Sequence, residues 1–173
     1  EVYCKKNNIS FKSPEILNVE EELKAFKELS ANLAVVVAYG KIIPKNFLNT
    51  VKFGFINIHA SLLPKWRGAA PIQRAIMNGD KNIGVSIMKI EEKLDSGPIL
   101  ASKEFKLNKN ESHGEIEKKL SLEGANLLIQ SLKFIENQNR SLRLQNSLQK
   151  PTGSEKKKKM SFLGLKVSYV DVR

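Results

Sequence analysis

Cysteine is almost missing from this chain: Cys4 is the single one in 173 residues, so an intrachain disulfide framework is excluded. Cys4 reads most simply as a small structural residue. Two histidines, His59 and His113, leave little from which to build a metal site, and none is expected. No apolar run is long enough to span a bilayer, and the start lacks the pattern of a secretory signal. These absences argue against a disulfide-stapled secreted domain and against a membrane protein, and make the cytoplasm the default compartment. An initial methionine is lacking too. With Glu1 in first place, the expectation is a fragment or a processed product.

The 41% hydrophobic content is ordinary for a water-soluble chain, and 173 residues suffice for one domain with a real core but not for two. The formal net charge of +11 is unevenly spread, with seven basic residues against two acidic ones from Gln149 onward. Such a balance can attract RNA phosphates, although a solvated tail explains the run Lys156–Lys159 equally well.

Strand-like and helix-like segments alternate. A helix end over residues 1–8 is followed by an extended piece around Ile9–Lys12, closed by Pro14. Val19, Leu23, Phe26 and Leu29 then recur at helical spacing. Leu33–Ala38 is a short continuous apolar run, as in a strand covered on both faces. Strands are also expected over 53–59 and 84–90 and from Pro98 onward. A helix over 70–78 has Pro71 in its first turn, Ile72 and Ile76 on one face and Gly79 at its end. Ser112-His113-Gly114-Glu115 has the form of a capping box, and the helix it opens turns Ile116, Leu120, Leu127, Leu128, Leu132 and Ile135 toward a core. The alternation argues for an α/β layered domain. After Asn146 the pattern collapses into Pro, Gly, Ser and lysines, with only 162–170 able to form a late strand.

The chemically informative stretch runs from Asn57-Ile58-His59 through Ser61-Leu62-Leu63-Pro64 to Trp66-Arg67-Gly68-Ala69-Ala70-Pro71-Ile72. Side chains alternate along a strand, so Gly54, Ile56 and Ile58 share one face while Asn57 and His59 emerge on the other. The carboxyl end of a buried strand is where open α/β sheets place ligands. Asp95, in Lys93-Leu94-Asp95-Ser96-Gly97, is a turn signal taken alone, yet a carboxylate can orient an imidazole. Amide, imidazole and carboxylate together suit attack by an amine on a carbonyl. Asn57 donates to a developing oxyanion, His59 stabilises it when protonated, and Asp95 holds the ring or a water and helps remove the amine proton.

With these residues in hand, the chain resembles the methionyl-tRNA formyltransferase family, within the wider group of formyltransferases that use 10-formyltetrahydrofolate. The resemblance rests on Asn57, His59, Ser61–Pro64, Asp95 and Gly97, and on Val35–Gly40 and Trp66–Ala75 flanking them. It implies an α/β fold with a Rossmann-like, open, mostly parallel sheet, incomplete at the N-terminus because the family's opening strands are absent before Glu1. It implies that Asn57, His59 and Asp95 are catalytic and that Ser61, Leu62, Leu63 and Pro64 contact the folate. The formyl donor would be 10-formyltetrahydrofolate, without a metal, and the acceptor initiator methionyl-tRNA, its binding weakened or lost in this truncated chain. Residues 1–147 are then the catalytic domain. Residues 148–173 are a basic tail, disordered or aberrant, whose abrupt change has the look of a frameshift. Two alternatives stay open: a non-catalytic remnant of that enzyme, and a glycinamide ribonucleotide formyltransferase, against which Trp66–Ile72 argues.

Overall fold

The computed structural model describes residues 2–108 and 110–148, with side chains through residue 141. The expectations for the basic tail and for a late strand over 162–170 lie outside the described residues. In chain order the elements are α1 (Val2–Lys6), α2 (Glu20–Glu28), β1 (Ala34–Val37), α3 (Lys45–Leu48), β2 (Phe55–His59), α4 (Pro71–Met77), β3 (Asn82–Lys89), β4 (Ile99–Lys106) and α5 (His113–Leu148). The four strands form one open sheet in the order β1-β2-β3-β4. This is the α/β layering that the alternation predicts, in the open, Rossmann-like form that the resemblance implies.

Strand direction departs from the expectation in part. β1 and β2 pair in parallel, but β2–β3 and β3–β4 are antiparallel, so the described sheet is mixed rather than mostly parallel. The connections explain it. Parallel neighbours need a crossover of a dozen or more residues that returns along the sheet. Only residues 90–98 separate β3 from β4, too few for a crossover. Residues 60–81 would be long enough, but α4 takes only seven of them and the rest stay as a loop at the carboxyl end of β2.

The two faces of the sheet are covered differently. On one, Leu33, Val35, Ile56, Ile58 and Ile87 pack against Leu127, Leu128, Leu132 and Ile135 of α5. Gly124 allows the close approach: a Cβ there would lie 2.8 Å from Ile58 Cγ2. Nearer its start, α5 buries Ile116 and Leu120 against Ile72 and Ala75 of α4 and Ile83 of β3. Fully buried side chains of this size contribute about 1.5–3 kcal/mol each. The capping box opens α5 as expected: Ser112 N donates to Glu115 Oε2 at 2.8 Å, and Glu115 N to Ser112 Oγ at 3.4 Å. On the opposite face Ala34, Val36 and Phe55 pack with Leu23 and Phe26 of α2 and Phe47 of α3. Val19 and Leu29, expected in that helical stripe, flank α2 and are exposed, as is Ile76 on α4. Val37 is exposed as well, so the β1 run is covered on both faces only over its first half.

Helix α4 starts with Pro71 and ends in a left-handed Gly79 (φ 67°). Gly79 N donates to Ile76 O and Asp80 N to Ala75 O, both at 3.0 Å, which is the Schellman pairing. This cap delivers Asp80 to the underside of the loop that follows β2.

Candidate active site

Asn57 and His59 emerge on the face of β2 not covered by α5, as the alternation predicts. Asn57 lies beside Val36 of β1, and His59 beside Ser86 of β3. The site thus opens where the parallel strands β1 and β2 end and the chain turns away, the ligand position of open α/β sheets. The Asn57 amide is half-buried and, among the described residues, has no side-chain hydrogen bond, which leaves its donor free for a substrate oxygen. His59 is buried. Its Nε2 lies 2.9 Å from the carbonyl oxygen of Trp66, and its Nδ1 3.8 Å from Asp95 Oδ2.

A carbonyl oxygen can only accept, so Nε2 carries a hydrogen and donates to Trp66. Nδ1 is then the ring atom that gains or releases a proton, and the Asp95 carboxylate lies where a charge on it is met. The 3.8 Å separation is an ion-pair distance, too long for a direct hydrogen bond. Asp95 is itself fixed by the loop after β2, because Gly68 N donates to its Oδ2 at 2.7 Å. Gly68 is left-handed (φ 82°), and a Cβ there would meet the Leu94 side chain at 3.4 Å, so the two loops touch. Asp95 also adopts a positive φ, 44°, a conformation that Asp tolerates better than most residues.

The loop 60–70 is held from below. Ser86, fully buried in an otherwise apolar strand, donates from Oγ to Ser61 O at 2.8 Å and accepts from Leu63 N at 3.2 Å. Ser61 Oγ donates to Lys65 O at 2.6 Å. Trp66 is left-handed (φ 57°), a state costing about 1–2 kcal/mol for an L-residue with a Cβ. Its indole Nε1 donates to Asp80 Oδ2 at 2.7 Å. Asp80 also accepts from Asn78 Nδ2 at 2.7 Å, and these donors, Trp66 foremost, hold its carboxyl below the ordinary carboxylate range.

Asn57, His59 and Asp95 therefore come together at one place. The four loop residues do not act as a unit. Ser61 is buried with its hydroxyl committed to Lys65 O, and Leu62 lies against Gly84, lining a cavity of about 340 Å³ on the far side of the loop with Lys65, Trp66, Asp80 and Glu104. Leu63 is half-buried and Pro64 exposed. Sequence reasoning passed over Asp80 and Ser86. A polar residue alone in Gly84-Val85-Ser86-Ile87-Met88 was the available signal for Ser86, and an acid just past the Gly79 cap for Asp80.

Chemically, a free amide donor and a ring that can become cationic converge on one side of the strand, with a carboxylate behind the ring. That arrangement stabilises negative charge growing on a carbonyl oxygen and disposes of a proton nearby. Among the described residues no group of three His, Cys, Asp or Glu could hold a metal ion, and no helix is long and apolar enough to cross a membrane.

Comparison with known proteins sets the chain beside formyltransferases. The chain is 47% identical over 137 residues to a methionyl-tRNA formyltransferase of a Wolbachia of Drosophila simulans, covering 79% of this chain and 46% of that protein. The corresponding protein of Pelagibacter ubique is 50% identical, covering 74% and 42%. That of Coxiella burnetii is 39% identical over 169 residues, covering 98% and 54%. The chain thus spans roughly half, or less, of the length of these relatives. Among solved structures, phosphoribosylglycinamide formyltransferase of Campylobacter jejuni superposes with a TM-score of 0.65 at 31% identity, covering 78% of this chain and 72% of that one. The enzyme of that name from Anaplasma phagocytophilum shares the fold at 21% identity, with a TM-score of 0.71 and coverage of 79% and 68%. The family model described as formyl transferase matches residues 2–132, more than half of the chain. The chain belongs to the formyl transferase family.

Proposed function

We propose that this chain carries the catalytic part of an enzyme that transfers a formyl group from 10-formyltetrahydrofolate to the amino group of methionyl-tRNA. The observation that carries the reading is the convergence of Asn57, His59 and Asp95 at the end of β2. The amine nitrogen bonds to the formyl carbon, negative charge collects on the formyl oxygen, and the bond to the folate nitrogen then breaks as that nitrogen takes up a proton. Asn57 and protonated His59 meet the oxyanion, and Asp95 holds the imidazole, or a water, and assists loss of the amine proton. Leu63 and Pro64 supply loop surface to the folate, whereas Ser61 and Leu62 contribute through the loop's shape.

The preference for methionyl-tRNA over a glycinamide nucleotide is supported by the higher identity to relatives named for the former, 47–50%, against 31% for the Campylobacter jejuni structure named for the latter. The test follows a labelled formyl group from 10-formyltetrahydrofolate to methionyl-tRNA and, separately, to glycinamide ribonucleotide. His59→Ala should lower turnover by about two to three orders of magnitude while folate affinity changes little. Transfer that survives His59→Ala overturns the role of that residue, and preference for the nucleotide overturns the acceptor. Folate binding without any transfer supports the non-catalytic alternative instead.

A further inference from the structure

We propose that Asp80, which lies outside the reacting trio, is a positioning residue: through the Trp66 indole it holds the backbone carbonyl that keeps the His59 ring protonated on Nε2. The chain of contacts is short and partly buried. The Asp80 side chain is only 7% exposed. Its Oδ2 accepts from Trp66 Nε1 at 2.7 Å, and the Trp66 carbonyl accepts from His59 Nε2 at 2.9 Å.

Trp66 packs along the Ile72–Ala75–Ile83 cluster, and three features add the carboxylate as the anchor of its indole nitrogen. Trp66 sits at φ 57°, a conformation a bulky residue keeps only when something outside the backbone holds it. The cavity of about 340 Å³ borders both Trp66 and Asp80, so the indole lacks a packed wall on that side. The Schellman cap of α4 and the Asn78 amide, 2.7 Å from Oδ1, fix the carboxylate on rigid structure. Lys65 Nζ, at 3.4 Å, adds an exposed cation at the rim. Donors from Trp66 and Asn78 also hold the Asp80 carboxyl low, which keeps its oxygens available as acceptors.

The chemistry follows from the ring. With Nε2–H committed to a carbonyl, the titrating atom is always Nδ1, the one facing Asp95. Without that commitment the neutral ring divides between two tautomers, and part of the population carries its hydrogen on Nδ1, toward Asp95, instead of on Nε2. The consequence for turnover rests on the formyl-transfer reading; the tautomer does not.

The experiment is imidazole ¹⁵N–¹H correlation spectroscopy on the whole chain. The chain has two histidines, so His113, at the start of α5, serves as the internal reference. Above the histidine titration, wild-type His59 should be the Nε2–H tautomer with a slowly exchanging proton. In Asp80→Ala and Trp66→Phe the Nδ1–H fraction should rise, and exchange at Nε2 should quicken, by about tenfold, the equivalent of one hydrogen bond. Asp80→Asn keeps an acceptor for the indole and should restore the wild-type spectrum. Trp66→Phe removes the indole donor while keeping an aromatic ring, and carries the test if Asp80→Ala does not fold. An unchanged His59 signature in a folded Trp66→Phe chain overturns the proposal, as does an equal change at His113 or failure of Asp80→Asn to restore. In the formyl-transfer assay Asp80→Ala should lower kcat with little effect on KM for the folate. If no transfer is detected in any variant, the catalytic reading fails while the tautomer result still decides the role of Asp80.

Discussion

Replacing Ser86 by Ala should be far more costly than the loss of one small hydroxyl. Ser86 is 0% exposed and Ser61 1%, so water cannot reach the gap. The hydroxyl serves two backbone groups at once, the Ser61 carbonyl at 2.8 Å and the Leu63 N–H at 3.2 Å. Its removal leaves a buried acceptor without its partner and weakens the burial of a donor, each worth about 1–3 kcal/mol. Partial relaxation of the loop recovers some of this, so the expected loss is about 3 kcal/mol, a large share of the roughly 5–15 kcal/mol of a domain. For a chain of this size that corresponds to a fall in Tm of about 6–12 °C. Urea unfolding with unchanged m-value reads it directly, and Ser96→Ala is the control. The Ser96 hydroxyl donates to Lys93 O at 3.0 Å on the exposed surface, and its removal should stay within about 0.5 kcal/mol. A Ser86→Ala loss below about 1 kcal/mol, or one no larger than that of Ser96→Ala, would refute the view that this hydroxyl holds the loop.

Asp80 has a carboxyl held below its ordinary value, so its contribution to stability is present above about pH 4, the unfolded-state value, and is lost as pH falls through the lower folded value. The difference in unfolding free energy between wild type and Asp80→Asn should therefore be flat from neutral pH down to about 5 and shrink below about 4; a difference that widens in acid refutes this. Gly124→Ala forces a Cβ to 2.8 Å from Ile58 Cγ2, a stiff branched methyl, so overpacking of about 1–3 kcal/mol should outweigh the helix-propensity gain of about 1. Gly114→Ala meets nothing within 4 Å and should be neutral or slightly stabilising; equal effects at the two glycines in chemical denaturation would show that the approach of α5 to the sheet is looser than drawn.

What could be read from the residues alone was whatever depends on neighbours a few positions apart. The alternation in Phe55–His59 put Asn57 and His59 on one face, Ser112-x-x-Glu115 marked the start of α5, and Pro71 and Gly79 bracketed α4. The direction of β3 and β4 was not legible, because it depends on whether a connection crosses the sheet or stays at one end. Nothing in the composition of residues 60–81 states which. The roles of Ser86 and Asp80 were hidden for a related reason. Their partners, Ser61 and Trp66, stand 25 and 14 positions away, beyond the reach of any periodic pattern. The fate of Val19, Leu29 and Ile76 shows the converse limit, since helical spacing identifies a face but not where the neighbouring element stops covering it.

The ties of the loop after β2 also set an order of events during folding. Ser86 reaches back 25 positions to Ser61, and Asp95 reaches back 27 to Gly68. The first closure waits until β3 has docked beside β2, and the second until the 90–98 turn has returned over the loop. His59 is then in place on its strand from early on, but one of the two contacts that steer its ring, the one to Asp95, is among the last to close. Recovery of the His59 environment after denaturation should accordingly trail the recovery of helix and sheet signals, and should never precede them.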